Sequence, residues 1–170
     1  YLQGLRKLCD KYGILLIFDE VQTGFGKTGK WFACEHWDVV PDIMAIGKGF
    51  TGGYIPLGAT ITTQKIYKVF RKSGSEFRSG STYGGHTVAC AATLANIAVI
   101  EKENLVEKAA KMGKYLKKKL EGFYKYPIVG DVRGIGLLLA VELVSDRKTR
   151  KPIESKLKVG SWIRDYCWNH

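Results

Sequence analysis

The segment ILLIFDEVQTGFGKTGKW, residues 14–31, joins a short apolar run to a stretch rich in glycine. The run from Ile14 to Phe18 follows a glycine and ends at charged residues, and the same form recurs at Ile43 to Ile46. Short, continuous apolar runs of this kind are typical of strands buried in a parallel sheet. Helical patterns alternate with these runs. The sequence therefore predicts an α/β fold with a mainly parallel sheet and helices.

The pattern changes in the second half of the chain. The remaining predicted elements are a third strand, a short helix, a long helical stretch, a strand pair and a closing helix, at residues 55–63, 64–74, 84–123, 129–144 and 155–170. We expect the long helical stretch to break near Asn104. A long helix followed by a strand pair differs from the earlier alternation, so we predict that residues 1–100 belong to a large domain. Residues 101–170 are then part of a smaller α+β domain.

The glycines at 24, 26 and 29 form the pattern G-x-G-x-x-G, which is typical of dinucleotide sites when it directly follows a strand and opens a helix. Here Asp19 to Thr23 separate the strand from the glycines, and no clear helix follows. The GKT at 26–28 also fails as a P-loop, because the required first glycine falls on Val21. The glycines therefore predict a connection whose backbone passes close to another part of the protein.

Composition limits the remaining function classes. The formal net charge is +11, and much of the excess lies in KAAKMGKYLKKK at 108–119. Its spacing predicts the solvated face of an amphipathic helix, and a nucleic-acid surface is the alternative, without a motif to support it. No apolar stretch approaches 18 residues, so we expect no membrane span. The four cysteines lack metal-ligand or disulfide spacing and predict reduced thiols in a cytoplasmic protein, with no metal site.

Two charged residues follow the apolar runs at corresponding places. Asp19 ends the first run, and Lys48 follows the second between two glycines. Ligands of open α/β sheets bind at the carboxyl ends of the strands. Because Lys48 lies among apolar residues and glycines, we expect it to be partly desolvated, which would lower its pKa and make the amine nucleophilic. The structural alternatives are a capping aspartate and a lysine that reaches the surface.

The sequence of these segments also resembles that of a known protein family. DEVQTGFGKTG at 19–29, with GKG centred 29 residues after its aspartate, closely resembles the signature of class III (ω-type) aminotransferases. The resemblance continues through GSTYGGHTVACAATLANIAVIEKENLVE and VRGIGLLLAVEL and so covers nearly the whole chain. It implies fold type I, with part of a large domain that binds pyridoxal 5'-phosphate and the start of a small C-terminal domain.

The resemblance also implies roles for individual residues. Lys48 matches the lysine that forms a Schiff base with the cofactor, and Asp19 matches the carboxylate that pairs with its pyridine nitrogen. Val21 matches the apolar side chain on one face of the ring, and Gln22 the amide near the phenolic oxygen. Thr82 matches the residue that binds the cofactor phosphate across the interface of a homodimer. Metal ligands are not implied.

The implied function is transfer of an amino group from a small amino donor, such as an ω-amino acid or related amine, to a 2-oxo acid or ketone. An aminomutase or racemase of the same fold is the alternative. Arg133 could anchor a substrate carboxylate or could be structural. Members of this family are much longer, so we expect the chain to be an internal fragment that is inactive alone. The glycine segment (residues 24–29) is then expected to be a flexible connection near the subunit interface.

Overall fold

The chain folds as two units, Tyr1–Ala110 and Lys111–His170, in a computed structural model that describes residues 1–72, 74 and 76–170. The longer elements of the first unit are α1 (Leu2–Tyr12), β1 (Ile17–Asp19), β2 (Ile43–Ile46), β3 (Ala59–Thr62), α2 (Gln64–Arg71) and α3 (Thr87–Lys102). Those that follow are α4 (Leu105–Glu121), β4 (Val129–Ile135), β5 (Leu138–Asp146), β6 (Lys151–Pro152) and α5 (Val159–Asn169). Short 3-10 turns lie at Ala33–Trp37, Lys48–Phe50, Gly122–Lys125 and Ser155–Leu157.

The sheet of the first unit has the order β1-β2-β3. β1 and β2 are parallel, with Ile17 opposite Ile43 and Asp19 opposite Ala45. β3 runs antiparallel to β2. The part of the sheet seen here is therefore mixed, and the parallel pair is the one that carries the two predicted charged residues.

A carboxylate fixes the start of this parallel pair. Asp42 Oδ2 accepts a hydrogen bond from the Leu16 amide and another from Arg6 Nη1, each at 2.8 Å. The Leu16 amide and the Arg6 guanidinium hold the pKa of Asp42 below its usual value. Arg6 lies on α1, Leu16 directly precedes β1, and Asp42 directly precedes β2. The Asp42 side chain therefore connects α1 to the starts of both strands.

The apolar run that leads into β1 is buried at one position. Leu16 is buried, but Ile14, Leu15 and Ile17 are 57%, 51% and 60% exposed. The expected buried strand over Ile14 to Phe18 is therefore wrong for this chain, both in burial and in bounds. The physical reason is that Ile14 and Leu15 precede β1, and β1 has one strand neighbour in the described sheet, so the described residues leave these side chains uncovered.

The predicted helix break near Asn104 is confirmed. α3 ends at Lys102, Asn104 has a positive φ of 51°, and its carbonyl accepts the Lys108 amide at 3.0 Å, one turn into α4. On α4, Ala109 is buried and most of the lysines are exposed, as expected for a solvated face. None of the helices within the described ranges is long and apolar enough to cross a membrane.

The second unit is built on an antiparallel sheet of order β4-β5-β6. In this unit the backbone of α4 passes close to the turn between β4 and β5, since a Cβ added to Gly113 would lie 2.2 Å from the carbonyl oxygen of Gly136. Val144 on β5 is fully buried. The domain boundaries that we drew at residues 100 and 101 stay a prediction.

Candidate active site

The segments that follow β1 and β2 lie side by side. Beyond the Asp19–Ala45 pair, the Glu20 amide donates to the Ala45 carbonyl at 2.9 Å and so extends the ladder by one bond. Two residues further, a Cβ added to Gly47 would lie 3.5 Å from Val21 Cγ1, at van der Waals contact. The carboxyl edge of the parallel pair therefore brings Val21 to the residue that precedes the predicted lysine, and Asp19 lies two residues before Val21 at the same edge.

Asp19 projects from the end of β1 as an exposed side chain. Its Oδ1 accepts the Val21 amide at 2.9 Å, a local bond that orients the carboxylate and the turn after it. The capping alternative is thus partly realised, although the bond holds a turn rather than a helix. In the described part of the chain, Oδ2 has no hydrogen bond or ion pair.

Lys48 opens a 3-10 turn (Lys48–Phe50, hereafter the Lys48 turn) and has a positive φ of 47°. Its side chain is exposed, so our expectation of a partly desolvated lysine is wrong for this chain. One physical reason is that Gly47, Gly49 and Gly53 have no side chains with which to cover the amine. Lys48 instead borders an open depression of about 560 Å³.

The other predicted cofactor residues differ in their distance from this edge. Val21 is half-buried, and Gln22 next to it is exposed. Thr82 lies in an exposed turn, and among the residues that the structure describes its side chain has no hydrogen bond to Asp19, Gln22 or Lys48. The structure brings Asp19, Val21 and the Lys48 turn to one sheet edge, with Gln22 adjoining in sequence, and among the described residues no hydrogen bond joins Thr82 to them. The roles of these residues stay predictions.

Glu20 is a structural residue of this site that the sequence analysis missed. It is 3% exposed, and its Oε1 accepts the Cys34 amide at 2.8 Å while Oε2 accepts the Ala33 amide at 3.0 Å and the Thr23 hydroxyl. It thus binds the free amides at the start of the Ala33–Trp37 turn. No sequence signal marks this role, because the bonds span 13 and 14 residues and an acid beside Asp19 suggests solvent exposure.

The buried Glu20 carboxylate also affects its neighbour Cys34. Burial, and after it the negative charge of Glu20, raise the pKa of the Cys34 thiol to about 11. The thiol is therefore neutral near pH 7 and is a poor nucleophile or metal ligand. We assign Cys34 to the packing of the site rather than to its chemistry.

The glycine segment packs closely against its surroundings. Phe25 has a positive φ of 59°, and its ring centroid lies 5.1 Å from that of Phe50. A Cβ on Gly49 would lie 3.1 Å from Phe25 Cβ, and one on Gly29 would lie 2.7 Å from Ala110 Cβ. The predicted close approach of backbone is confirmed. Our expectation that this segment is flexible is wrong, because the Phe25 ring packs on Phe50 and the glycine backbone lies in close contact with other residues.

The free polar atoms at this edge suit a pyridoxal phosphate ring and its aldehyde. Asp19 Oδ2 and Lys48 Nζ have no partners within the described residues, and they provide one carboxylate and one primary amine. The two side chains border separate open depressions, of about 200 Å³ for Asp19 and about 560 Å³ for Lys48. Asp19 could hold the ring nitrogen and Lys48 could hold the aldehyde carbon.

Arg133, the possible substrate anchor, is paired within the second unit. Its Nη1 donates to Glu142 at 2.6 Å and to Asp131 at 3.2 Å. Both carboxylates offset its charge, and the bond to Glu142 joins β4 to β5, whereas Asp131 lies on the same strand as Arg133. The contacts favour the structural alternative for Arg133.

Comparisons with known proteins agree with the motif. The family model for Aminotransferase class-III matches residues 1–168. The chain is 48% identical over 155 residues to the adenosylmethionine-8-amino-7-oxononanoate aminotransferase of Anoxybacillus flavithermus, covering 89% of this chain and 34% of that protein. The chain thus spans about a third of the length of its relatives.

Solved structures give the same result. The (S)-enantioselective omega-transaminase of Thermomicrobium roseum superposes with a TM-score of 0.92 at 42% identity, over 95% of this chain and 36% of that one. A taurine:2-oxoglutarate aminotransferase from Bifidobacterium kashiwanohense, solved with PLP and glutamate, gives 0.85 at 42% identity, over 89% of this chain and 34% of that one. The predicted fold class is confirmed, and the chain belongs to the class III aminotransferase family.

Proposed function

We propose that the full-length protein is a pyridoxal-phosphate-dependent transaminase, which moves an amino group between an amino donor and a 2-oxo acid or ketone. The observation that supports this most directly is the parallel pairing of β1 with β2. It brings Asp19 and Lys48 to one sheet edge in a chain of the class III family, and among the described residues Asp19 Oδ2 and Lys48 Nζ have no partners.

Each residue at this edge has a task in that reaction. When bound, pyridoxal phosphate provides a ring that delocalises the negative charge formed on the substrate carbon. Asp19 would accept a hydrogen bond from the ring nitrogen and keep it protonated. Lys48 Nζ would hold the cofactor and, once displaced by the substrate amine, would carry the proton from the substrate carbon. Val21 would pack on the ring, and Gln22 would bind near its phenolic oxygen.

Substrates, partners and location are part of the same proposal. One relative is named for taurine and 2-oxoglutarate, and another is named as an omega-transaminase. These names support a donor whose amino group lies at the end of the molecule away from its acid. We place the cofactor at the interface of a homodimer, with Thr82 on the phosphate. The four free thiols suit the reducing cytoplasm.

Reductive trapping tests the assignment of the lysine. Full-length protein is loaded with pyridoxal phosphate, reduced with borohydride and digested, and the pyridoxyl label is located by mass spectrometry. We expect the label on the peptide that contains Lys48. Lys48→Ala should lose the label and the activity, whereas Lys27→Ala, which removes an exposed lysine of the glycine segment, should keep both. A label on another lysine in the wild type would refute the assignment.

A further inference from the structure

The Lys48 turn has little side-chain packing of its own. It is closed by backbone bonds from the Phe50 amide to Gly47 at 3.0 Å and from the Thr51 amide to Lys48 at 3.2 Å. A left-handed conformation is unfavourable at a residue other than glycine, so it persists where neighbouring groups hold it. Glycines flank the lysine on both sides. The direction of the Lys48 side chain therefore depends on contacts from outside the turn.

Among the described residues, Phe25 and Asn96 make such contacts, one with a side chain of the turn and the other with its backbone. The Phe25 ring packs on Phe50, as described above. Asn96, a half-buried residue of α3, donates its Nδ2 hydrogens to the carbonyls of Gly49 at 2.8 Å and Phe50 at 3.2 Å. These are the two residues that directly follow the lysine. They lie 47 and 46 positions before Asn96 in the chain.

The helix itself does not favour asparagine at position 96, which indicates that the bond to the Lys48 turn is the role of this side chain. Asparagine is a weak helix former, because its side chain competes with the backbone for hydrogen bonds. Asn96 nevertheless lies in the middle of α3, as the single polar side chain between Leu94 and Ile100. Its oxygen borders Gly52, where an added Cβ would lie 2.7 Å away. The amide is thus fitted against the end of the turn, and its donors are directed at the two carbonyls.

We propose that Asn96 is a positioning residue for Lys48, which ties the Lys48 turn to α3 and so fixes the direction from which the amine meets its electrophile. The proposal rests on the proposed function, since it gives Lys48 its catalytic task. Misplacement of a reacting group by about 1 Å can cost about 100-fold in rate. Loss of the Asn96 donors should therefore lower kcat by about 10- to 100-fold and leave the KM for the amino donor nearly unchanged.

The test compares Asn96→Leu with Thr93→Val in the full-length enzyme. Leucine has nearly the shape of asparagine but cannot donate. Thr93 is a matched control, because it is buried one turn earlier on α3 and donates to Ala89 within the helix. In cofactor-free protein, we expect faster hydrogen exchange at the amides of Thr51 and Gly52 in Asn96→Leu alone. In loaded enzyme, the pH midpoint of the visible cofactor absorbance should move in Asn96→Leu and not in Thr93→Val.

The outcomes distinguish failure of the positioning role of Asn96 from failure of the function proposed for Lys48. If Asn96→Leu does not fold, Asn96→Ala provides the same comparison without added bulk. If the Asn96 variants match Thr93→Val in kcat, in exchange and in the absorbance midpoint, Asn96 is merely structural and the proposal is wrong. If borohydride labels a different lysine in the wild type, the function proposed for Lys48 fails, and the positioning role of Asn96 fails with it.

Discussion

The buried carboxylate of Glu20 offers a sharp test of how the site is held together. Glu20→Gln keeps the shape of the side chain, but one of its two terminal atoms becomes an NH2 group. If the glutamine oxygen takes the place of Oε2, it can still accept the Ala33 amide and the Thr23 hydroxyl. The glutamine NH2 group then takes the place of Oε1, and the Cys34 amide loses its acceptor. A buried donor without an acceptor costs about 1–3 kcal/mol, and the bonds that remain lose the contribution of the negative charge.

Glu35→Gln is the matched control, because Glu35 also binds the start of this turn. Its Oε1 accepts the Phe32 amide at 2.6 Å, but the residue is exposed, so water can replace the bond. We expect this variant to lose less than about 1 kcal/mol. Both variants are made in the full-length protein, and native-state hydrogen exchange then gives the opening free energy at the amides of Ala33 and Cys34. Equal protection of these amides in the two variants would show that Glu20 does not hold the turn.

Two further predictions concern stability. Gly113→Ala should destabilise the full-length protein by about 1–3 kcal/mol in urea titrations, because its Cβ would meet the Gly136 carbonyl oxygen at 2.2 Å. Gly4→Ala on α1, which has nothing within 4 Å, should instead be neutral or stabilise by up to about 1 kcal/mol, and the same sign for both variants would contradict the packing argument. Burial raises the pKa of the Cys34 thiol from 9.0 to about 11. As the pH rises, the thiol therefore ionises first in the unfolded chain, which stabilises the unfolded state. The folded protein should lose stability between about pH 9 and 11. The loss is at most about 2.7 kcal/mol, and the difference between wild type and Cys34→Ser measures it; parallel pH profiles would show that Cys34 does not titrate in this range.

The sequence predicted those elements that are determined by residues close together in the chain. The run at 43–46 gave β2 with the observed bounds, and the helical stretch broke at Asn104 because that residue takes a positive φ. The places of Asp19 and Lys48 after two strand-like runs also predicted that both lie at one sheet edge, as the parallel pairing of β1 and β2 shows, while their roles stay predictions. In each case a few neighbouring residues are sufficient for the inference.

The sequence failed where the cause lies elsewhere in the chain or in the rest of the protein. The run at 14–18 predicted burial, but β1 is an edge strand in a chain that spans about a third of its relatives. The same apolar surroundings predicted a desolvated Lys48, which the structure leaves exposed. An apolar pattern indicates the environment in the complete protein, and one segment of that protein need not reproduce it.

The charged groups of this candidate site and the contacts that hold them in place belong to different residues. Asp19 and Lys48 carry the charged atoms, but Asp19 ends β1 just before a turn and Lys48 lies on a turn, and both turns have few contacts of their own. The turn after Asp19 is held by Glu20, which reaches Ala33 and Cys34, and the Lys48 turn is held by Phe25 and Asn96. These holding contacts span 13 to 47 residues, so no short motif contains them. If Asp19 and Lys48 act as we propose, a protein with the motif but without these contacts would have the reactive groups and lack their alignment, and alignment contributes several kcal/mol to catalysis.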